Sequence, residues 1–287
     1  MVYYFQCRCS LELMQSQEME RLCSLFFELS NEDRLSIILK LMNEPMKLTH
    51  IANALDLTVQ ECSRQLARLH DIELVTKDPD GFFVLQPYGR HAFRLFPGFQ
   101  FLTEHVDYFN RHTLSVLPEK FMGRIGELRG CTPITKLMGT FSKIGEVLGE
   151  AEEFFWYMTD ETLVSANGYI NGLEALDRGV QIKGIEPVGY SPPMEIVKNV
   201  SDEVKKAYAV HRSKGAIVDR THEKIDVTMY MSEKEVAILA FPALTGEFDY
   251  LGFTSTDEKV IEWCKDLHSY YWERGGLRDE YYIDSRD

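Results

Sequence analysis

Between Thr49 and His70 the chain reads as a short apolar-faced helix, a tight turn and a longer amphipathic helix, an order that few folds accommodate. Thr49 opens the short helix, whose inner side is Ile51, Ala52 and Leu55. Asp56-Leu57-Thr58 makes the turn. The next helix, from about Val59 to His70, has an inward face of Val59, Cys62, Leu66 and Leu69. Its outward face is Gln60, Ser63, Arg64, Gln65 and Arg68. Two strand-like runs follow, Glu73 to Lys77 and Phe82 to Gln86. They are joined by Asp78-Pro79-Asp80-Gly81, whose residues favour a turn. Helix-turn-helix plus hairpin is a winged helix.

The flanks agree with that reading. Met14 to Leu29 carries Leu22, Leu25, Phe26 and Leu29 at helical spacing. Ser30 reads as the N-cap of a second helix with Leu35, Ile38, Leu39 and Met42 on one face, closed by Pro45. Pro87 suits the first turn of a further helix bearing Tyr88, Ala92, Leu95 and Phe96. The outward row has DNA-reading chemistry. Arg64 and Arg68 can grip guanine and Gln60 and Gln65 adenine at the major-groove edge. Thr58, Ser63 and Lys77 suit phosphate.

Charge limits how such a module works. The 287 residues hold 31 Lys and Arg against 45 Asp and Glu, a net of -14. That argues against a nonspecific nucleic-acid coat or a basic membrane-surface protein. Residues 1–110 alone are net -5. Such a reader must gather its positive residues on one face, and the expectation is a homodimer on double-stranded DNA. No apolar run reaches the ~18 residues of a membrane helix. The best, Val236 to Leu244, is strand-length and contains Pro242. The N-terminus lacks a basic region followed by an apolar stretch, and the six cysteines are scattered, with Cys7 and Cys9 the one close pair. The expectation is a reduced, cytoplasmic protein without membrane segment, metal site or cofactor.

The remainder divides into a helical connector (97–150), an α/β domain (151–273) and a tail (274–287). In the connector, Pro97-Gly98 is a break, Phe99 to Asn110 and Glu119 to Leu128 read as helices, Cys131-Thr132-Pro133 is a second break, and Ile134 to Ala151 is a helix. With Met14 to Leu29 it is the candidate dimer seam. Beyond it, Phe154 to Met158, Tyr169 to Arg178 and Val180 to Ile185 form a βαβ unit, implying a parallel pair. Pro187 to Pro193 is a loop, Ser201 caps a helix through about Arg212, and Gly215 to Asp219 is a strand. Ile225 to Met231 and Val236 to Phe241 form a hairpin, Phe248 to Thr254 is a last strand, and Thr256 caps a final helix through Trp272. Open α/β sheets bind ligands near the carboxyl ends of parallel strands. The candidate ligand residues at strand ends and loops are Asp160, Glu186, Tyr190, His211, Asp219, His222 and Lys224.

In the phrase Leu29-Ser30-Asn31-Glu32-Asp33-Arg34-Leu35-Ser36-Ile37-Ile38, and in element order through Gln86, the first part resembles winged-helix regulators of the ArsR type. Only Cys62 stands where that family's metal sensors carry paired cysteines, so metal sensing is not carried over. The rest resembles the effector region of archaeal methanogenesis regulators, in Leu117-Pro118, Arg124-Ile125-Gly126-Glu127-Leu128, Ala151-Glu152-Glu153-Phe154 and Gly179-Val180-Gln181-Ile182-Lys183. It is distantly similar to the sugar-responsive TrmB regulators, whose effector domain is related to phospholipase D. The resemblance implies an archaeal, homodimeric transcription regulator with a small-molecule or unassigned effector. A phospholipase D site would follow His222-Glu223-Lys224 with Asp after four intervening residues, and Met229 stands there. The expectation is therefore a degenerate phospholipase D-like domain and a protein that is not an enzyme. The alternatives are an active phosphodiesterase of that type and a winged-helix adaptor for other proteins.

Overall fold

Helical periodicity at the start of the chain is realised as α1 (Ser16–Leu29) and α2 (Glu32–Asn43), followed by β1 (Met46–Lys47), α3 (Leu48–Ala54), α4 (Val59–Asp71), β2 (Val75–Lys77), β3 (Phe82–Leu85) and α5 (Pro87–Arg94). These come from a computed structural model that describes residues 16–161, 163 and 166–278. The chain forms two compact units that divide between Phe96 and Pro97. In the first, β1, β3 and β2 make an antiparallel sheet in that order. Ile37, Ile38, Leu41, Ile51, Leu66 and Leu69 are fully buried between the helices and this sheet. The β2–β3 turn depends on Gly81 at φ +88, with the Asp78 carboxylate accepting from the Phe82 N–H.

Local details differ from the sequence reading. The cap of α2 is Asn31, whose side chain accepts from the Arg34 N–H, while the Ser30 hydroxyl donates back to the Phe27 carbonyl. Val59 opens α4 ahead of the buried stripe and is 48% exposed. The two-residue β1 is too short for alternation to reveal it.

The second unit follows: α6 (Phe96–Glu104), α7 (Val106–Phe109), α8 (Glu119–Met122), a 3-10 turn (Ile125–Gly130), β4 (Thr132–Ile134), α9 (Leu137–Glu150), β5 (Phe154–Met158), α10 (Ala166–Asp177), β6 (Gln181–Pro187), α11 (Met194–Lys198), α12 (Asp202–Ser213), β7 (Ile217–His222), β8 (Thr228–Ser232), β9 (Val236–Ala240), β10 (Gly252–Ser255), α13 (Glu258–Trp272) and β11 (Gly276–Leu277). One eight-stranded mixed sheet runs β11-β7-β6-β5-β8-β9-β10-β4. Within it β5, β6 and β7 are parallel neighbours.

The connector is not a separate body. Phe101, Leu117, Phe121, Ile125 and Leu128 share one core with Trp263 and Leu267 of α13, because burying them there removes most of their apolar surface from water. Pro97 and Gly98 lie in the first turn of α6, where a missing N–H costs no helical bond. The second expected break is β4, which pairs with β10, and the expected proline loop ends at Pro193 as the N-cap of α11. Asp257, rather than Thr256, caps α13, its carboxylate accepting from the Lys259 N–H. The expected tail adds β11 to the edge of β7, with Gly276 opposite Thr221 and Leu277 opposite Arg220.

Strand alternation sorts side chains between two cores. Met229 and Met231 of β8 join the α13 side, and Tyr230 the side of α9, α10 and α12. On the α13 side, His268 lies between the rings of Trp156 and Trp272, at centroid distances of 5.0 and 5.7 Å. Its Nε2 lies 3.2 Å from the Tyr157 carbonyl, tying α13 to β5. Burial lowers this imidazole to about 4. A folded value below the unfolded ~6.5 means that the unfolded chain takes up the proton first, so stability falls as pH drops. We expect a loss of up to about 3 kcal/mol between roughly pH 7 and 4, largely removed by His268→Gln, in denaturant titrations across that range.

Candidate functional site

Two arrangements stand out, one in each unit. In the first, α4 presents Gln60, Ser63 and Arg64 to solvent. The helix starts from a capping box, in which Thr58 Oγ1 accepts from the Glu61 N–H and the Glu61 carboxylate accepts from the Thr58 N–H and hydroxyl. Thr58 is thus committed to the helix start, and that bond lowers the Glu61 carboxyl. Lys77 is exposed on the β2–β3 hairpin, its ammonium 5.7 Å from the Phe83 ring centre.

Gln65 departs from the expected outward row, and Arg68 stays at the surface with its guanidinium tip engaged. Gln65 is 5% exposed and accepts from Arg34 Nη1 at 2.9 Å. Arg34 is 5% exposed, pairs with Glu28 at 3.0 Å and donates to the Glu28 carbonyl. Arg68 reaches the other Glu28 oxygen at 2.7 Å. The helical wheel places Gln65 and Arg68 with the polar face, but the buried Arg–Glu pair from α1 and α2 draws Gln65 in and holds the tip of Arg68, whose side chain stays 43% exposed. This brace fixes the rotation of α4, leaving Gln60, Ser63 and Arg64 as the fully outward polar residues of the expected set.

In the second unit a cavity of about 880 Å³, counted with its open mouth, lies on the α10–α12 side of the sheet. Its floor is Tyr157 of β5, Glu186 of β6 and Asp219 of β7. Tyr169 and Tyr208 wall it from α10 and α12, and Tyr230 from β8. The Tyr157 hydroxyl donates to Asp219 at 3.1 Å and reaches Glu186 at 3.4 Å, so one proton serves two carboxylates. Gly184 lies opposite Asp219 in the ladder, and a Cβ there would collide with the Tyr157 ring and the Asp219 carboxylate. The Tyr157 and Tyr230 rings stack at 5.5 Å. Burial raises the Asp219 carboxyl, against the opposing pull of Arg212, the Tyr157 hydroxyl and the Gly184 N–H. Burial and the neighbouring Asp219 charge raise the Tyr157 phenol well above its ordinary value. Burial pushes the Tyr169 phenol up to about 12. Arg278, one residue past β11, forms an ion pair with Glu186 and donates to the Tyr190 carbonyl at 2.9 Å.

Of the seven expected ligand residues, Glu186 and Asp219 line this cavity. Tyr190 borders it through the carbonyl that holds Arg278. The other four lie elsewhere. Asp160 accepts from the Tyr250 hydroxyl, and His211 pairs with Asp177 at 2.9 Å. His222 meets the Tyr271 ring edge-on at 5.4 Å, on the α13 side, because strand alternation turns it away from Asp219. Lys224 pairs with Asp226 at 3.4 Å. Met229, the position a phospholipase D aspartate would take, is fully buried in the apolar core. The four tyrosines, Arg212 and Arg278 were not foreseen. The mid-strand Tyr157 in an otherwise apolar run was the one available signal. Among the described residues, no group of three His, Cys, Asp or Glu could hold a metal ion, and no helix is long and apolar enough to cross a membrane. Cys7 and Cys9 lie outside the described residues.

No established protein family and no curated protein matches the sequence. Among solved structures, TrmBL2, an archaeal chromatin protein with a described mode of DNA binding, is similar at 16% identity and TM-score 0.40, over 92% of this chain and 100% of that one. Nuc from Salmonella typhimurium, a phospholipase D family member, is similar at 12% identity and TM-score 0.33, over 48% of this chain and 89% of that one. RosA from Streptomyces davawensis, a dimethyltransferase, is similar at 12% identity and TM-score 0.27, over 73% and 67%. Further methyltransferases accompany it. The expectation that the chain is not an enzyme is therefore corrected: enzymes stand beside the DNA-binding protein among the structures it is similar to. TM-scores this low assign no activity.

Two substitutions test the site geometry. Arg34→Met leaves Glu28 with Arg68 as its one remaining cation and releases Gln65, and should destabilise the first unit by about 2 kcal/mol in chemical unfolding. Gly184→Ala should overpack the cavity floor, cost about 2 kcal/mol and lower the melting temperature.

Proposed function

We propose that the chain is a DNA-binding transcription regulator. Its first unit is a winged helix that reads double-stranded DNA with α4, and its second is a sensor whose cavity takes a small-molecule effector. The observation that carries this reading is the braced α4. A buried ion pair holds the helix from behind, while Gln60, Ser63 and Arg64 face solvent near a hairpin bearing Lys77. Arg64 suits a guanine edge and Gln60 an adenine edge, with Ser63 and Lys77 for phosphate. Thr58 can offer phosphate only its backbone or a hydroxyl already engaged by Glu61, and Arg68 only what its Glu28 pairing leaves. So small a positive set on an acidic chain calls for doubling, and a homodimer supplies it by presenting two α4 helices to two half-sites one helical turn apart. Leu22, Phe26 and Phe27 are exposed on α1 and suit the seam between the copies.

Footprinting on DNA from the native genome, at stepped salt, tests the reading. The wild-type chain should protect a two-part site, with affinity falling steeply as salt rises. Arg64→Ala should weaken specific binding on the order of 10-fold or more and leave the fold intact. An unchanged footprint in that variant removes α4 from the reading role. Absence of any DNA affinity at low salt would favour the adaptor alternative.

A further inference from the structure

The cavity in the second unit already holds a cation from its own chain, the Arg278 guanidinium on Glu186. We propose that the cavity binds a small organic cation with an amine or guanidinium head, seated on Glu186 and Asp219, and admitted when Arg278 withdraws. The proposal deepens the sensor reading above and rests on it.

Three observations carry it. The first is the lining. Glu186 and Asp219 are 8% and 4% exposed, and tyrosine rings surround them. Buried carboxylates demand a charged or strongly donating partner, and aromatic faces attract cations. The second is charge balance. With Arg278 seated, the cavity sets two carboxylates against two guanidinium groups, Arg212 and Arg278. Withdrawing Arg278 leaves one negative charge in excess. A ligand cation restores the balance, whereas a neutral polyol leaves Glu186 without a counter-charge and an anion adds to the excess. The third is the tether. Arg278 is delivered by β11, two residues long and exposed, on the outer edge of β7. So short an edge strand opens at low cost compared with the buried strands beside it.

The test is calorimetric titration of the full chain with the monocations n-butylamine and n-butylguanidine, using glutarate and glucose as anionic and neutral counterparts. The cations should bind at one site per chain and the counterparts should not. Glu186→Gln should abolish binding. Arg278→Gln removes the internal competitor and should tighten binding on the order of 10-fold. Amide hydrogen exchange at Gly276 and Leu277 should rise when the wild-type chain takes up the cation. Binding of glutarate or glucose in place of the cations overturns the cation class while leaving a sensor intact. Silence of every probe, in wild type and in Arg278→Gln alike, overturns the proposal. Cation binding with unchanged exchange and unchanged Arg278→Gln affinity overturns the withdrawal of Arg278. A cation that binds and leaves the DNA footprint unaltered sinks the sensor reading and keeps the site.

Discussion

A carboxylate placed inside a mixed sheet is a constraint that the surrounding structure must answer. Asp219 faces the helices from the middle of β7, where desolvation opposes its charge. The Tyr157 hydroxyl donates to it, and that approach works only because residue 184 on the strand between them has no side chain. Tyr157 in turn stacks on Tyr230 of the antiparallel neighbour, and its carbonyl meets His268 on the opposite layer. One buried charge therefore ties together β5, β6, β7, β8 and α13, and keeps polar a region that apolar packing would otherwise close. The cavity is the space that this polar cluster prevents from collapsing.

The first unit solves a related problem by other means. There the buried charges, Glu28 and Arg34, face one another directly and enlist Gln65. Such a pair contributes little net stability compared with apolar packing, but it penalises any rotation of α4 that would break it. The two units thus use burial of charge differently. One fixes the aim of a surface helix, and the other preserves a cavity.

Much of the helical skeleton was legible in the sequence, because a stripe such as Cys62, Leu66 and Leu69 repeats within one segment. The βαβ unit and the β8–β9 hairpin were legible for the same reason. Features made by partners distant in sequence were not. Gln65 turns inward because of Arg34, 31 residues away. The residues of 97–150 looked like a connector until α13 supplied the surface that buries 97–130 and the opposite core, with α10 and α12, took in α9. The cavity draws on β5, α10, β6, α12, β7, β8 and the segment after β11. Glu186 and Asp219 could be anticipated from their places on parallel strands, but no local pattern announces that Arg278 returns to Glu186.

The placement of β11 also bears on how the sheet ends. An outermost strand offers a row of unsatisfied N–H and C=O groups to any extended chain that meets it. At one end β4 carries Pro133, which has no N–H to offer. At the other, β7 is bordered by Gly276 and Leu277 of the same chain. The segment that carries Arg278 to the cavity is therefore also a hem on the sheet. Whatever lifts it bares the backbone of β7 and turns a finished edge into a place where another strand can add.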